Sequence, residues 1–157
     1  MPIPPFIVAL REHIGHAPLW LLGTTAVILN EDADRVLLAR RADTGRWAPI
    51  SGIVEPGEHP GSTARREALE EASVHVEVER LVEVTVTDQY EYPNGDRAQY
   101  LNHTFRCRYL SGEPRVGDDE NLEVAWFDVH DLPVMNEEGR ARIRVALLDE
   151  PETRFVS

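Results

Sequence analysis

The sequence predicts an α/β fold, a single domain in which helices cover both faces of a sheet. Three observations carry that prediction. Val74, Val76 and Val78 alternate with His75, Glu77 and Glu79, and Val82, Val84 and Val86 alternate with Glu83, Thr85 and Thr87, which is the two-residue period of half-buried strands. Ala64, Ala68 and Ala72 recur every four residues and mark a helix with one narrow apolar stripe. Strands and helices intersperse along 157 residues without repeats, low-complexity tracts or a linker, a length suited to one domain with a real core.

Taken in order, Phe6, Leu10 and Ile14 space out a short N-terminal helix that Gly15 ends. Residues 24–29 and 36–39 read as strands around a turn at 30–34, and residues 47–51 as a short strand. Glu55-Pro56-Gly57-Glu58 places proline and glycine where a type II turn takes them. Pro60 suits the first turn of the alanine-striped helix. The two valine strands come next. In Tyr92-Pro93-Asn94-Gly95-Asp96 the Asn-Gly pair signals a hairpin, and Leu101, His103, Phe105, Cys107 and Tyr109 share one face of the returning strand. Residues 122–127 make a further strand, and Asn136 caps a last helix running to about Leu148. The domain is therefore expected over residues 20–150, preceded by a helix and lead-in at 1–19 and followed by a tail at 151–157.

Composition excludes several functions. An apolar content of 42% without a long apolar run argues for a soluble protein, and the N-terminus lacks a basic leader with a cleavage site, so a cytoplasmic location is expected. A single cysteine, Cys107, rules out an internal disulfide and a cysteine zinc cluster, and its place on an apolar strand face suits packing rather than nucleophilic attack. The six histidines form no HExxH or paired-ligand spacing. Net charge is −12 and all sixteen basic side chains are arginine. Without lysine there is no phosphate-loop lysine, Schiff base or serine/lysine dyad, and the acid excess disfavours nucleic acid and anionic membranes as partners.

The most informative stretch is residues 52–74, GIVEPGEHPGSTARREALEEASV. At about 100° per residue, Glu67, Glu70 and Glu71 fall within roughly a third of the helix circumference, beside the alanine stripe. Like charges one turn apart repel, so the cluster is either a solvated acidic face or a cation site. The turn, Glu58 at its offset and Arg66 among the acids favour the second. Mg²⁺ or Mn²⁺ suits a helix offering several carboxylates, and such a cation promotes hydrolysis at phosphorus. An acidic chain binding a phosphate substrate also needs that cation, together with local arginines, to reverse the sign of its own field. Arg40, Arg41 and Arg46 form such a patch ahead of the helix, unless they are ordinary solvated loop residues.

Gly52, Glu58, Arg66-Glu67 and Glu70-Glu71, with Val74 closing the run, stand at the spacings of the Nudix box, and the chain resembles a Nudix hydrolase. One position departs from the pattern, since Ser73 stands where the family has its last glycine. The resemblance implies a Nudix α/β/α sandwich with a mixed β-sheet, to which the short N-terminal helix is added. It implies Glu67 and Glu71 as metal ligands, Glu70 as an assisting carboxylate and the Ser51 carbonyl as a further oxygen. Arg66 is expected to brace Glu58 or Glu70, and Arg41 matches a phosphate-binding arginine at the end of the preceding strand.

A second acidic cluster, Asp118-Asp119-Glu120 with Glu123, precedes the strand LEVAWF. The resemblance offers a glutamate from this region as a metal ligand or general base. Glu120 is the choice and Glu123 the runner-up, while Glu67 remains an alternative base; a glycine- and aspartate-rich loop would let Glu120 close on the substrate. The expected activity is metal-dependent cleavage of a phosphoanhydride in a nucleoside diphosphate linked to another group, such as a dinucleoside polyphosphate or ADP-ribose. Tyr90 and Tyr92 bear on that choice only if they are more than cross-strand packing. A nucleoside triphosphate-sanitising enzyme and a catalytically silent nucleotide sensor are the alternatives. The partner expected is a small nucleotide, with a homodimer left open.

Overall fold

The computed structural model describes residues 3–157. Helix α1 spans Pro5–Ile14 and ends at Gly15, whose φ of 57° turns the chain. Strands β1 (Leu19–Leu29), β2 (Arg35–Arg41), β3 (Trp47–Ala48) and β4 (Ile50–Ile53) lead to α2 (Pro60–Ala72). Then come β5 (His75–Val86), β6 (Tyr90–Glu91), β7 (Arg97–Ser111), β8 (Asn121–Asp128), α3 (Glu137–Leu148) and β9 (Arg154–Phe155). The main sheet runs β3-β2-β1-β7-β5-β9, with β4 on β1, β6 on β7 and β8 on β2. It is mixed, since β1 runs parallel to β7 while β5 runs antiparallel to it.

Alternation along β1 explains the layers. Ala26 and Ile28 face α2, joining Leu37, Ala39, Ala64, Ala68 and Cys107. Val27 and Leu29 face α3, joining Val36, Leu38 and Ile143. A strand covered on both sides must be apolar throughout its middle, and this part of β1 is. The alanine stripe is fully buried, as its period predicts. Asn136 caps α3, its Oδ1 accepting the Gly139 N–H at 2.8 Å. The Asn-Gly hairpin is also present, with Tyr92 N–H donating to Asp96 O at 2.8 Å.

The structure corrects several details. In α1 it is Ile7 that is buried, against Leu21 and Ala98, while Leu10 and Ile14 are exposed. Of the three spaced residues Phe6 packs there too, half-buried beside Ile7. The 47–51 segment is two strands separated by Pro49, which has no N–H to give to a ladder; the chain pairs first with β2 and then with β1. The two valine strands are one, β5, with register shifts between Val78 and Arg80 and between Leu81 and Glu83. A bulge flips the parity of the residues beyond it, so Val76 faces α2 and Val82 faces α3. Residues 151–157, expected as a tail, supply β9 against Glu83 and Val84.

Ser73 ends α2 at φ 58°, ψ 32°, the left-handed conformation, with its N–H on Leu69 O at 3.0 Å. A side chain is disfavoured there, so Ser73→Gly is expected to raise stability by a few tenths to about 1 kcal/mol without altering activity. Thermal unfolding of the variant tests this. A lower melting temperature would show that the serine hydroxyl contributes more than the backbone strain costs.

Candidate active site

The turn before α2 forms as its residues dictate. Gly57 takes φ 86° and Glu58 N–H donates to Glu55 O at 3.0 Å. This aims the Glu58 carboxylate back at the helix, where it accepts from Thr63 Oγ1 at 2.7 Å and from Arg66 Nε at 2.9 Å. Arg66 is the hub of this region. It also donates to Glu67 Oε1 at 2.7 Å, Glu70 Oε2 at 3.1 Å and Ile53 O at 3.2 Å. The expected brace on Glu58 or Glu70 is thus a brace on both, and on Glu67.

The Arg66 hydrogen bonds outweigh burial and hold the Glu58 carboxyl at about 2, below its ordinary value of 4.5. Because the folded value is the lower one, the pair stabilises the fold above the unfolded value and loses that contribution as pH falls from 4.5 toward about 2. Wild type is therefore expected to lose stability across that window more steeply than Glu58→Gln. Denaturant midpoints measured as a function of pH check it, and parallel curves would refute it.

Of the three helix carboxylates, two turn inward. Glu67 is 0% and Glu71 2% exposed, whereas the Glu70 side chain stands about half in solvent, held by Arg66. The angular offset of Glu70 from its neighbours is enough to turn it off the buried face. Glu67 packs under Gly52 of β4, so closely that a Cβ on Gly52 would lie 1.9 Å from Glu67 Oε1. Burial pushes the Glu67 carboxyl up to about 8 despite Arg66, with Glu70 and Glu120 adding to the rise. Glu71 is also raised, by burial first and then by Glu67, Asp118 and Glu120. One oxygen of each, Glu67 Oε2 and Glu71 Oε1, is buried without a hydrogen-bond partner.

Across from α2, the loop before β8 brings Asp118 and Glu120 to Glu71, with carboxylate oxygens of the three within 4.8 Å of one another. Hard oxygen donors, negative charge that burial disfavours and two unsatisfied carboxylate oxygens suit a divalent cation such as Mg²⁺. The second acidic cluster thus joins the first, through Asp118 and Glu120. Glu123 does not join it, because it pairs in the ladder with Arg40, at 3.4 Å. Sequence patterning alone does not single out Asp118 or Asn121 as site residues. Asn121 Nδ2 donates to Glu71 Oε2 and Asp118 Oδ1, both at 3.3 Å, and the signals for them were membership of the acidic run for Asp118 and adjacency to it for Asn121.

Glu120, Ser51, Arg41 and Arg46 line a cleft of about 760 Å³ on the sheet face shared by α1 and α3. Arg40, expected in the same patch, is engaged by Glu123. Arg41 donates to Asp43 through Nε and Nη2, both at 3.0 Å. Burial opposes its charge, but Asp43, Glu120 and Glu71 more than compensate. At the other end of the cleft Tyr90 donates to Glu138 Oε2 at 2.7 Å, and the Tyr92 and Tyr100 hydroxyls meet at 2.6 Å. These tyrosines pack with one another and also line the cleft. Cys107 is fully buried, and its thiol is pushed up to about 12 by burial, as suits packing.

The family model of the NUDIX domain matches residues 20–148. The chain belongs to the NUDIX family. The match covers the box, both acidic clusters and α3, and leaves α1 outside. The chain is 31% identical over 114 residues to the NAD-capped RNA hydrolase NudC of Pseudomonas putida, covering 71% of this chain and 38% of that protein. It is 29% identical over 129 residues to nucleoside diphosphate-linked moiety X motif 6 of Xenopus laevis, covering 81% of this chain and 58% of the relative. The chain therefore spans less than two thirds of either NUDIX relative. Among solved structures, the MutT NUDIX hydrolase from Burkholderia pseudomallei matches with a TM-score of 0.62 and 27% identity, over 80% of this chain and 97% of that one. None of the described helices is long and apolar enough to cross a membrane.

Proposed function

We propose that this chain is a Mg²⁺- or Mn²⁺-dependent pyrophosphohydrolase acting on a nucleoside diphosphate linked to another group. One observation carries the reading: Glu67 and Glu71 are buried, each with an unpartnered oxygen, and Glu71 meets Glu120, which lines a cleft together with Arg41 and Arg46. Glu67, Glu71 and the Ser51 carbonyl would hold the cation, with Glu70 assisting from the exposed side of the helix. A cation bound there offsets phosphate charge and acidifies water. Arg41 and Arg46 supply anion-binding charge at this face of a chain whose net charge is −12.

Glu120 takes the proton from the attacking water as its oxygen adds to phosphorus and the bridging P–O bond breaks. One water is consumed, and the anhydride leaves as two phosphate monoesters. Glu67 would be the poorer base once the cation is bound, because a carboxylate that ligates a cation is held ionised by it. Arg66 acts through the carboxylates it holds and touches no substrate. The cleft volume falls in the range of about 300–1,000 Å³ typical of ligand sites and leaves room for a group beyond the diphosphate. The names of the P. putida and X. laevis relatives support the same substrate class.

A phosphatase-coupled phosphate-release screen over sugar nucleotides, dinucleoside polyphosphates and nucleoside triphosphates, with and without Mg²⁺, tests the reading. Metal-dependent release from the first two classes is expected. Turnover unaffected by EDTA would overturn it, and exclusive release from triphosphates would replace it with the nucleotide-sanitising activity.

A further inference from the structure

The segment between β7 and β8 is bonded to the C-terminal end of α2 by its backbone. Arg115 N–H donates to Ala72 O and Gly117 N–H to Glu71 O, each at 3.1 Å. Both carbonyls belong to the last turn, whose acceptors have no partner within the helix, so the loop satisfies what the helix leaves open. The approach at Gly117 is too close for any side chain: a Cβ there would lie 1.9 Å from Glu70 O and 3.0 Å from Glu70 C. Backbone atoms on both sides leave no rotamer to relieve such a contact. The far end is fixed too, by Ala42 N–H donating to Glu120 O at 2.7 Å. A loop whose composition suggests closure on the substrate is thus already tied at both ends.

Between these ties the chain presents Asp118 and Glu120 to Glu71, whose Oε1 is buried and unpartnered. We infer that Gly117 is a positioning residue, setting the register in which Asp118 serves as a further carboxylate ligand beside Glu71 while Glu120 is left to handle the water proton. This rests on the metal-dependent activity proposed for the site. Asp118 Oδ1 accepts from Glu120 N–H at 3.1 Å and from Asn121 Nδ2, so it is oriented by its own loop. Asn121 Nδ2 also donates to Glu71, bridging the two carboxylates. Without the strap, the loop would have to be ordered each time the cation binds, and the entropy of that ordering would be subtracted from affinity.

The test is Mn²⁺ affinity, measured without nucleotide by calorimetry or electron paramagnetic resonance, with circular dichroism to monitor folding. Asp118→Asn keeps the oxygen that accepts from Glu120 N–H and removes the charge, so affinity is expected to fall about tenfold or more. Gly117→Ala should weaken Mn²⁺ at least as much, and Glu123→Gln not at all. Glu120→Gln should slow turnover at least about a hundredfold with affinity nearly intact. Amide exchange of Arg115 and Gly117 should be slow in the cation-free protein, a readout that stands even if Gly117→Ala fails to fold. Wild-type affinity in Asp118→Asn, or fast exchange at Gly117, would overturn the inference. If wild type itself bound no Mn²⁺, the metal reading would fall as well; if it binds and only the variants behave like wild type, the strap alone is wrong.

Discussion

Glu71→Gln is expected to lower turnover by at least about 10²-fold while leaving cation-free stability equal or higher. The opposite signs come from the position of Glu71. It is 2% exposed, its carboxyl is raised first by burial and then by Glu67, Asp118 and Glu120, and one of its oxygens has no partner. In the absence of a cation, an ionised Glu71 is a cost to the fold, and a glutamine of the same shape removes that cost. In its presence, on the function proposed above, the carboxylate would hold the cation. Mg²⁺ should therefore raise the melting temperature of wild type, by mass action on the folded state, and raise that of Glu71→Gln much less. Steady-state rates and melting curves with Mg²⁺ and with EDTA read both effects. A variant that loses stability yet keeps its rate would show that Glu71 is structural.

Gly52→Ala should cost turnover on the same scale, about 10²-fold or more, with the fold retained. The added Cβ would stand 1.9 Å from Glu67 Oε1, 2.1 Å from its Cδ and 2.6 Å from its Cγ. A carboxylate is ordinarily flexible enough to step aside, but this one is fully buried, and Arg66 holds the same oxygen at 2.7 Å. Either Glu67 leaves its place or β4 shifts off α2, and both outcomes displace the Ser51 carbonyl and Glu67 relative to each other. Mn²⁺ affinity and turnover should fall together, with the far-ultraviolet circular dichroism unchanged. Wild-type turnover in this variant would mean that the contact between the box glycine and Glu67 has no part in the site.

Where local chemistry is strong, the sequence anticipates the structure closely. Pro56-Gly57 makes its turn, Pro60 opens α2, Asn136 caps α3 and Asn94-Gly95 closes the hairpin, because each depends on backbone preferences of a few adjacent residues. The alanine stripe likewise needs only a period. Local patterning failed where the outcome depends on a partner strand. The two valine runs read alike, yet bulges against β7 place Val76 and Val82 on opposite faces of one strand. Nothing in the Val-Glu alternation marks where the ladder slips.

The site divides in the same way. By itself the sequence determined the residue types and spacings of residues 52–74, and with them Glu67 and Glu71 on one helix and Arg66 as a brace, since one helical turn fixes their neighbours. Only the tertiary structure decided that Glu70 turns outward, that Glu123 goes to Arg40 and that Asp118 and Glu120 meet Glu71. Residues some fifty positions apart, such as Glu71 and Asn121, come into contact because the β7–β8 segment satisfies the carbonyls at the end of α2. That choice is made by backbone hydrogen bonding and by the absence of a side chain at Gly117, neither of which has a periodic signature in the sequence.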